Sequence, residues 1–289
     1  MNLCDIVQIK ALLAGKNFRF SKGMGQNFLI ASWVPEQIAE EAGLDLQTGV
    51  LEIGPGIGCL TVQISKLAGK VISVELDNAL KPVLAETLKD CENTKVIFGD
   101  VLKLKIADIV SENFAGMKPV VCANLPYNIT SPLISAFIDA GCFESITIMV
   151  QREVAHRICA KAGTSDYGAF TVYTNWHTEP EILFDVSPDC FMPAPKVWSS
   201  VIKLTVRKTP PAEVADEKLF FAVVRASFNQ RRKTLLNALT SGLSGYSKEE
   251  LLDVIISCGF DEKIRGEVLD LKGFAAIANK IAELKELNR

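Results

Sequence analysis

A glycine-rich turn between a short apolar run and a helical segment constrains the fold of this chain most strongly. The turn, Glu52–Gly58, reads EIGPGIG and lies between the strand-like run Val50–Ile53 and the predicted helix Thr61–Ala68. Glycines at such a position let the backbone approach a ligand at the carboxyl end of a sheet. The pattern is not the dinucleotide motif G-x-G-x-x-G, because Cys59 follows the third glycine, and no G-K-[ST] sequence for a nucleoside triphosphate is present.

Short apolar runs and helical segments alternate through the first part of the chain, which predicts βαβ units and a doubly wound, mostly parallel sheet. The predicted strands are Val50–Ile53, Lys70–Val74, Thr94–Phe98, Pro119–Ala123 and Ser145–Val150, and the predicted helices are Thr61–Ala68, Asn78–Leu88 and Pro132–Ala140. Two further β-rich runs, Phe170–Trp176 and Ser199–Val206, are expected to pair as an antiparallel edge.

The character of the chain changes at Thr209-Pro210-Pro211, which indicates a linker. The predicted helices beyond it are Asp216–Ser227, Arg231–Leu239, Lys248–Ser257 and Gly273–Leu287. We therefore expect an α/β domain over residues 1–208 and a small all-α domain over residues 209–289.

Composition excludes several classes of protein. The longest apolar runs, such as Ile146–Val150, are far shorter than the roughly 20 residues of a membrane span. No secretory leader is evident at the N-terminus, so we expect a cytoplasmic protein without a membrane role. The eight cysteines form no C-x-x-C pair and the two histidines lack ligand-like neighbours, so no metal is expected.

The net charge of −3 gives no general attraction to nucleic acid, so phosphate contact would need local basic patches. Two such patches are present. The first contains Lys10, Lys16, Arg19 and Lys22, and the second is the run Arg231-Arg232-Lys233.

Acidic residues end the two predicted strands that follow the glycine turn. Glu75 ends one strand, where a carboxylate can accept two hydrogen bonds from a ribose diol. Asp100 ends the next strand, where it can accept from an adenine amino group. A glycine turn and two acids at three successive strand ends predict an adenosine-bearing ligand across the carboxyl edge of the sheet.

The loop Asn124-Leu125-Pro126-Tyr127 ends the fourth predicted strand and carries the sharpest chemical signal. The exocyclic amine of adenine is a poor nucleophile because its lone pair is delocalised into the ring. The Asn124 carboxamide oxygen and a neighbouring backbone carbonyl can accept both amine hydrogens, which localises the lone pair. Pro126 stiffens the loop, and Tyr127 offers a face on which a base can stack.

These motifs resemble those of the bacterial small-subunit ribosomal RNA adenine dimethyltransferases, nearly from end to end. The similar segments are KGMGQNFL, VLEIGPGIGCLT, VELD, GD, ANLPYNIT, VQREVAHRI, FMPAPKVWSSVI and FNQRRKTLLNAL, the last within the predicted helical domain. One departure is Trp198, which stands where members of this family often carry a small or acidic residue.

The resemblance implies a Rossmann-like class I methyltransferase domain with a mostly parallel seven-stranded sheet. It implies S-adenosyl-L-methionine as cofactor, with S-adenosyl-L-homocysteine as product and no metal. It assigns the cofactor to Gln26, Asn27, Leu29, Gly54, Gly56, Glu75, Leu76, Asp100, Val101 and Asn124. It assigns catalysis to Asn124, Leu125, Pro126, Tyr127 and Phe191, with Tyr127 and Phe191 stacking on opposite sides of the target base.

The implied substrate is 16S rRNA within a small-subunit assembly intermediate, where two adjacent adenines near the 3′ end each receive two methyl groups. Lys22, Arg231, Arg232 and Lys233 are then the expected RNA contacts, and no obligate protein partner is evident. Two alternatives stay open: a large-subunit rRNA adenine methyltransferase, and a ribosome-assembly factor without turnover on the same scaffold. A DNA adenine methyltransferase fits less well because no target-recognition insertion is evident.

Overall fold

The computed structural model describes residues 1–16, 18 and 26–287. By its internal contacts the chain divides into two units. The first comprises Met1–Ala155 and Glu179–Val206, and the second comprises His156–Thr178 and Arg207–Arg289.

The described residues form twelve α-helices and nine strands. The helices are α1 Ile6–Gly15, α2 Trp33–Glu41, α3 Cys59–Leu67, α4 Lys81–Thr87, α5 Ile106–Asn113, α6 Thr130–Ala140, α7 Arg152–Ile158, α8 Ala169–His177, α9 Glu217–Asn229, α10 Leu235–Gly242, α11 Lys248–Ser257 and α12 Leu271–Leu287. The strands are β1 Phe28–Leu29, β2 Thr48–Ile53, β3 Lys70–Glu75, β4 Thr94–Phe98, β5 Lys118–Asn124, β6 Ser145–Gln151, β7 Thr178–Val186, β8 Phe191–Met192 and β9 Ser199–Val206.

The main sheet has seven strands in the order β4-β3-β2-β5-β6-β9-β7. Strands β4, β3, β2, β5 and β6 pair in parallel, and β9 pairs with β6 in the antiparallel sense. All six residues of β2 are buried, which explains why polar and apolar residues do not alternate along it, since helices cover both faces of such a sheet. The predicted fold class, a mostly parallel doubly wound sheet, is confirmed.

The strand order reverses between β2 and β5. The chain proceeds from β2 to β3 and β4 on one side, and then crosses back to β5 and β6 on the other. In open parallel sheets, ligands bind in the crevice at such a switch point, outside the carboxyl ends of the strands. The glycine turn after β2 and Asn124 at the end of β5 flank this crevice.

The predicted strand Phe170–Trp176 is wrong, because this segment forms α8. Its β-branched and aromatic residues favour a strand, but tertiary packing overrides that preference. Trp176 is 1% exposed, and its ring centroid lies 4.0 Å from that of Phe220 on α9. At the helix start, the Gly168 N–H donates to Thr171 Oγ1 at 3.1 Å.

The outermost strand, β7, was not predicted, and its sequence shows why. Pro180 interrupts the run TEPEILFDV, and Glu179 and Glu181 flank it. Proline and charged residues are typical of edge strands, where one side of the backbone makes no ladder hydrogen bonds.

The second unit is helical, and its hydrophobic cluster joins α8 to α9–α12. The helices predicted at Asp216–Ser227, Lys248–Ser257 and Gly273–Leu287 are confirmed. The predicted helix Arg231–Leu239 begins later, at Leu235, because the Thr234 hydroxyl caps it by accepting from the Asn237 N–H. The proposed domain boundary at residue 208 lies near the division after Val206, but residues 156–178 belong to the helical unit.

No helix within the described ranges combines the length and the apolar composition needed to cross a bilayer.

Candidate active site

A cavity of about 290 Å³ opens at the carboxyl ends of β2, β3, β4 and β5. Its volume is just below the roughly 300–1,000 Å³ typical of ligand pockets. The cavity lining includes all ten residues predicted to contact a cofactor, namely Gln26, Asn27, Leu29, Gly54, Gly56, Glu75, Leu76, Asp100, Val101 and Asn124. Leu125, Pro126 and Tyr127 line it as well.

The glycine turn forms one wall, and its backbone requires glycine. Gly54, Gly56 and Gly58 have φ values of 68°, 60° and 93°, a region that residues with a Cβ rarely adopt. A Cβ added at Gly58 would also lie 2.9 Å from Leu88 Cδ2. The turn is tied to the neighbouring strand, because the Gly54 N–H donates to the Val74 carbonyl at 2.9 Å.

Glu75 lies at the end of β3 with both carboxylate oxygens oriented by backbone donors. Its Oε1 accepts from the Asp77 N–H at 2.8 Å, and its Oε2 accepts from the Gly56 N–H at 3.3 Å. Burial raises the pKa of this carboxyl above its usual value. Each oxygen keeps a lone pair for a further donor, which suits a ligand with two adjacent hydroxyl groups.

Asp77 and Gln26 form a second polar contact beside Glu75. The Gln26 Nε2 donates to Asp77 Oδ2 at 2.8 Å, and the Ala79 N–H donates to Asp77 Oδ1 at 2.9 Å. This contact joins the segment before β1 to the segment after β3. It places Gln26 on the cavity wall, although Gln26 and Asp77 are 51 residues apart in sequence.

Asp100 follows β4 and begins a short 3₁₀ helix, where its Oδ1 accepts from the Leu102 N–H at 3.1 Å. Its Oδ2 lies 3.6 Å from Lys103 Nζ, and the side chain is 33% exposed. The carboxylate is therefore accessible from the cavity and held by its own turn.

Glu52 also lines the cavity, and sequence reasoning missed it as a site residue. Its Oε2 accepts from Thr61 Oγ1 at 2.8 Å and from Ser73 Oγ at 2.6 Å. Burial, with a smaller contribution from the nearby Glu75 charge, raises the pKa of this carboxyl to about 7. The sequence does contain a sign of this residue, because Glu52 is an acid inside the apolar run VLEI. A buried acid in a core strand needs hydrogen-bond partners.

The loop Asn124–Tyr127 forms the wall beside the glycine turn, where a Cβ added at Gly54 would lie 3.9 Å from Pro126 Cγ. The Leu125 N–H donates to the Met149 carbonyl at 3.2 Å, and the Leu125 side chain is 1% exposed, so the loop is anchored in the core. Within the described residues, the Asn124 carboxamide makes no hydrogen bond to the protein, which leaves it accessible to a ligand. Tyr127 Oη shares a 2.5 Å hydrogen bond with Ser199 Oγ, and burial raises the pKa of its phenol.

Phe191 lies outside the cavity lining. It pairs with Leu29 in the small β1–β8 sheet, and its side chain is 3% exposed within the main hydrophobic cluster. In this conformation the structure does not bring the ring of Phe191 to the cavity that Tyr127 lines.

The basic run near the start of α10 divides into two parts. Arg231 Nη2 donates to the carbonyls of Ser165 and Tyr167, both at 2.7 Å, so this guanidinium holds the chain together. Arg232 and Lys233 are exposed. Lys22 and Arg19 lie outside the described residues.

The part of the chain that the structure describes contains no group of three or more His, Cys, Asp or Glu side chains placed to hold a metal ion.

The fold and the cavity together place the chain among the Rossmann-like methyltransferases. Residues 17–267 match the family described as ribosomal RNA adenine dimethylase. The chain belongs to this family.

Relatives and solved structures agree with this assignment. The ribosomal RNA small subunit methyltransferase A of Geobacillus thermodenitrificans is 44% identical over 279 residues, 95% of each chain. That of Alkaliphilus metalliredigens is 43% identical over 274 residues, 94% of this chain and 96% of the relative. A dimethyladenosine transferase from Plasmodium falciparum superposes with a TM-score of 0.73 at 26% identity, covering 90% of this chain and 98% of its own. The 23S rRNA methyltransferase ErmE superposes with a TM-score of 0.68 at 26% identity, and the match covers 89% of this chain and 100% of the ErmE chain.

The pKa of Glu52 predicts a pH dependence of stability. Between pH 4.5, the ordinary carboxyl value, and about pH 7, the folded state holds a proton that the unfolded chain releases. The free energy of unfolding should therefore fall as the pH rises through this window, by on the order of 3 kcal/mol. Glu52→Gln should remove this part of the pH dependence in urea denaturation.

Glu40→Gln, at an exposed position on α2, is the matched control and should keep the wild-type pH profile. Parallel profiles for wild type and Glu52→Gln would show that Glu52 does not hold a proton near neutral pH.

Proposed function

We propose that this protein transfers methyl groups from S-adenosyl-L-methionine to the exocyclic amines of two adjacent adenines in small-subunit rRNA. One observation carries the proposal: the Asn124 carboxamide shares a single cavity with the carboxylates of Glu75 and Asp100. The cavity thus presents acceptors for an adenosine-bearing cofactor and, beside them, an acceptor for a target amine.

The cavity residues fit this cofactor. The carboxylate of Glu75, oriented by the N–H groups of Gly56 and Asp77, suits the ribose diol. Asp100 suits the adenine amino group, with Leu76 and Val101 beside it as apolar contacts for the ring. Gln26 and Asn27, together with the glycine turn, are placed to contact the rest of the molecule.

The cofactor supplies an already activated methyl group, so the protein needs no nucleophile of its own. The Asn124 carboxamide oxygen accepts a hydrogen bond from one N–H of the target amine, and a backbone carbonyl in the same loop accepts a hydrogen bond from the other. These bonds localise the nitrogen lone pair and direct it along the line of transfer. The catalysis assigned to this loop therefore consists of positioning the target amine and excluding water from the cavity.

The adenine must leave its stack to reach the cavity, at a cost of a few kcal/mol. Tyr127 offsets part of this cost by stacking, and its hydrogen bond to Ser199 fixes the phenol. The second proposed stacking residue, Phe191, would first have to leave the hydrophobic cluster in which it is buried.

The small-subunit substrate is favoured by the curated relatives, whose names specify that subunit at 43–44% identity. ErmE, named for 23S rRNA, is 26% identical, which gives less support to the large-subunit alternative. The particle recognised is proposed to be a small-subunit assembly intermediate, and the compartment the cytoplasm, where such particles form.

Mass spectrometry of rRNA from both subunits of a deletion strain, before and after incubation with protein and cofactor, tests the proposal. We expect two methyl groups on each of two adjacent adenines near the 3′ end of 16S rRNA.

Asn124→Ala should lower turnover by roughly a hundredfold or more, because it removes an acceptor that the transition state needs. Asp100→Ala should instead weaken cofactor binding by roughly tenfold in calorimetry.

Asn113→Ala, which lies in α5 away from the cavity, is the matched control and should retain full turnover. Methylation confined to 23S rRNA would support the large-subunit alternative. Cofactor-independent binding to particles without any methylation would support the assembly factor.

The exposed pair Arg232 and Lys233 predicts a salt-dependent interaction with rRNA phosphates. Replacing both with alanine should reduce the slope of log affinity against log salt by roughly 0.7–0.9 for each phosphate that the pair neutralises. Arg231 is retained in this variant, because its guanidinium donates to two backbone carbonyls of the protein. Filter binding to small-subunit particles at several salt concentrations measures the slope.

The control replaces two other exposed lysines of the second unit, Lys248 and Lys263, with alanine, which changes the net charge equally. If both double variants show the wild-type slope, Arg232 and Lys233 do not bind phosphate.

A further inference from the structure

The loop between β8 and β9 presents an exposed tryptophan that the proposed chemistry does not use. Trp198 is 43% exposed, and Val197 and Lys196 beside it are exposed too. The other two tryptophans have partners: Trp176 is 1% exposed, and Trp33 packs on Phe184 with ring centroids 5.9 Å apart.

Arg152 holds the indole of Trp198. The Arg152 guanidinium carbon lies 5.4 Å from the ring centroid, and the Arg152 backbone N–H donates to the Trp198 carbonyl at 2.9 Å. Arg152 Nη1 lies 3.9 Å from Asp185 Oδ2, and Asp185 Oδ1 accepts from Ser200 Oγ at 2.6 Å. The Arg152 guanidinium, paired with Asp185, therefore covers one face of the exposed ring.

Trp198 is also the neighbour in sequence of a residue that contacts the cavity lining. Its neighbour Ser199 shares the hydrogen bond with Tyr127 Oη that fixes the proposed stacking phenol. Consecutive Cα atoms are about 3.8 Å apart, so the backbone of Trp198 lies close to the Ser199 residue that fixes Tyr127. Proteins bind single-stranded nucleic acid through aromatic rings combined with basic side chains, and this loop offers an indole, a guanidinium and a nearby lysine.

We propose that Trp198, supported by Arg152, is a stacking site for an unpaired nucleotide next to the target adenine. This inference rests on the proposed function, because it requires an RNA substrate. Extruding one adenine deprives its neighbour of a stacking partner, and the indole replaces that partner. Arg152 and Lys196 provide positive charge for the adjoining phosphates.

Steady-state kinetics with small-subunit particles test the site. Trp198→Ala should raise the KM for particles about tenfold, within the roughly 5- to 150-fold range that removal of one base stack produces. The kcat and the cofactor dissociation constant should stay unchanged. Trp198→Phe should restore most of the KM, and Trp198→Leu should behave like the alanine variant. Trp33→Ala, at a position of nearly equal exposure (44%), is the control and should match wild type.

Fluorescence gives an independent measurement. In a Trp33→Phe background, an adenine-rich single-stranded hexanucleotide should quench the emission of Trp198, while the buried Trp176 provides a constant signal. Adding Trp198→Phe should abolish the quenching, since a base stacked on the indole causes it.

Three results would overturn the inference: an unchanged KM in Trp198→Ala, full restoration by leucine, or an equal rise in the cofactor dissociation constant. Restoration by leucine would indicate that the surface binds an apolar protein side chain. Failure of the wild-type protein to methylate any rRNA would instead contradict the proposed function.

Discussion

Parallel pairing of β2, β3 and β4 is the constraint on which the site depends. The pairing continues past the strand ends, because the Gly54 N–H donates to the backbone carbonyl of Val74 at 2.9 Å and the Gly99 N–H to the backbone carbonyl of Glu75 at 2.8 Å. The carboxyl ends of parallel strands point the same way, so these bonds hold the glycine turn, Glu75 and Asp100 along one edge. A change in this register would separate the groups that the proposed cofactor must meet together.

The sequence predicted this part of the molecule well, for a physical reason. Buried parallel strands read as short continuous apolar runs, and the residue that ends each run lies at the functional edge. Glu75, Asp100 and Asn124 each follow such a run, and all three line one cavity. The three glycines Gly54, Gly56 and Gly58 indicated the turn correctly, because the positive φ values at these positions are rarely adopted by other residues.

Other features depend on interactions between residues distant in sequence, and no local pattern reveals them. Segment 169–177 is helical because Trp176 packs on Phe220, although its composition favours a strand. Arg231 looked like a phosphate-binding residue, yet it bonds two carbonyls more than sixty residues earlier. Phe191 follows the motif of the family but is buried in the main cluster, which only the three-dimensional arrangement shows.

A crystal structure with S-adenosyl-L-homocysteine and a short adenine-containing RNA would show whether cofactor and target base share the cavity as proposed. We expect the cofactor ribose on Glu75, its adenine at Asp100, and the target amine within about 3.2 Å of the Asn124 carboxamide oxygen. Density for the cofactor elsewhere, or a target amine bonded to other groups while Asn124 faces away, would contradict the proposal.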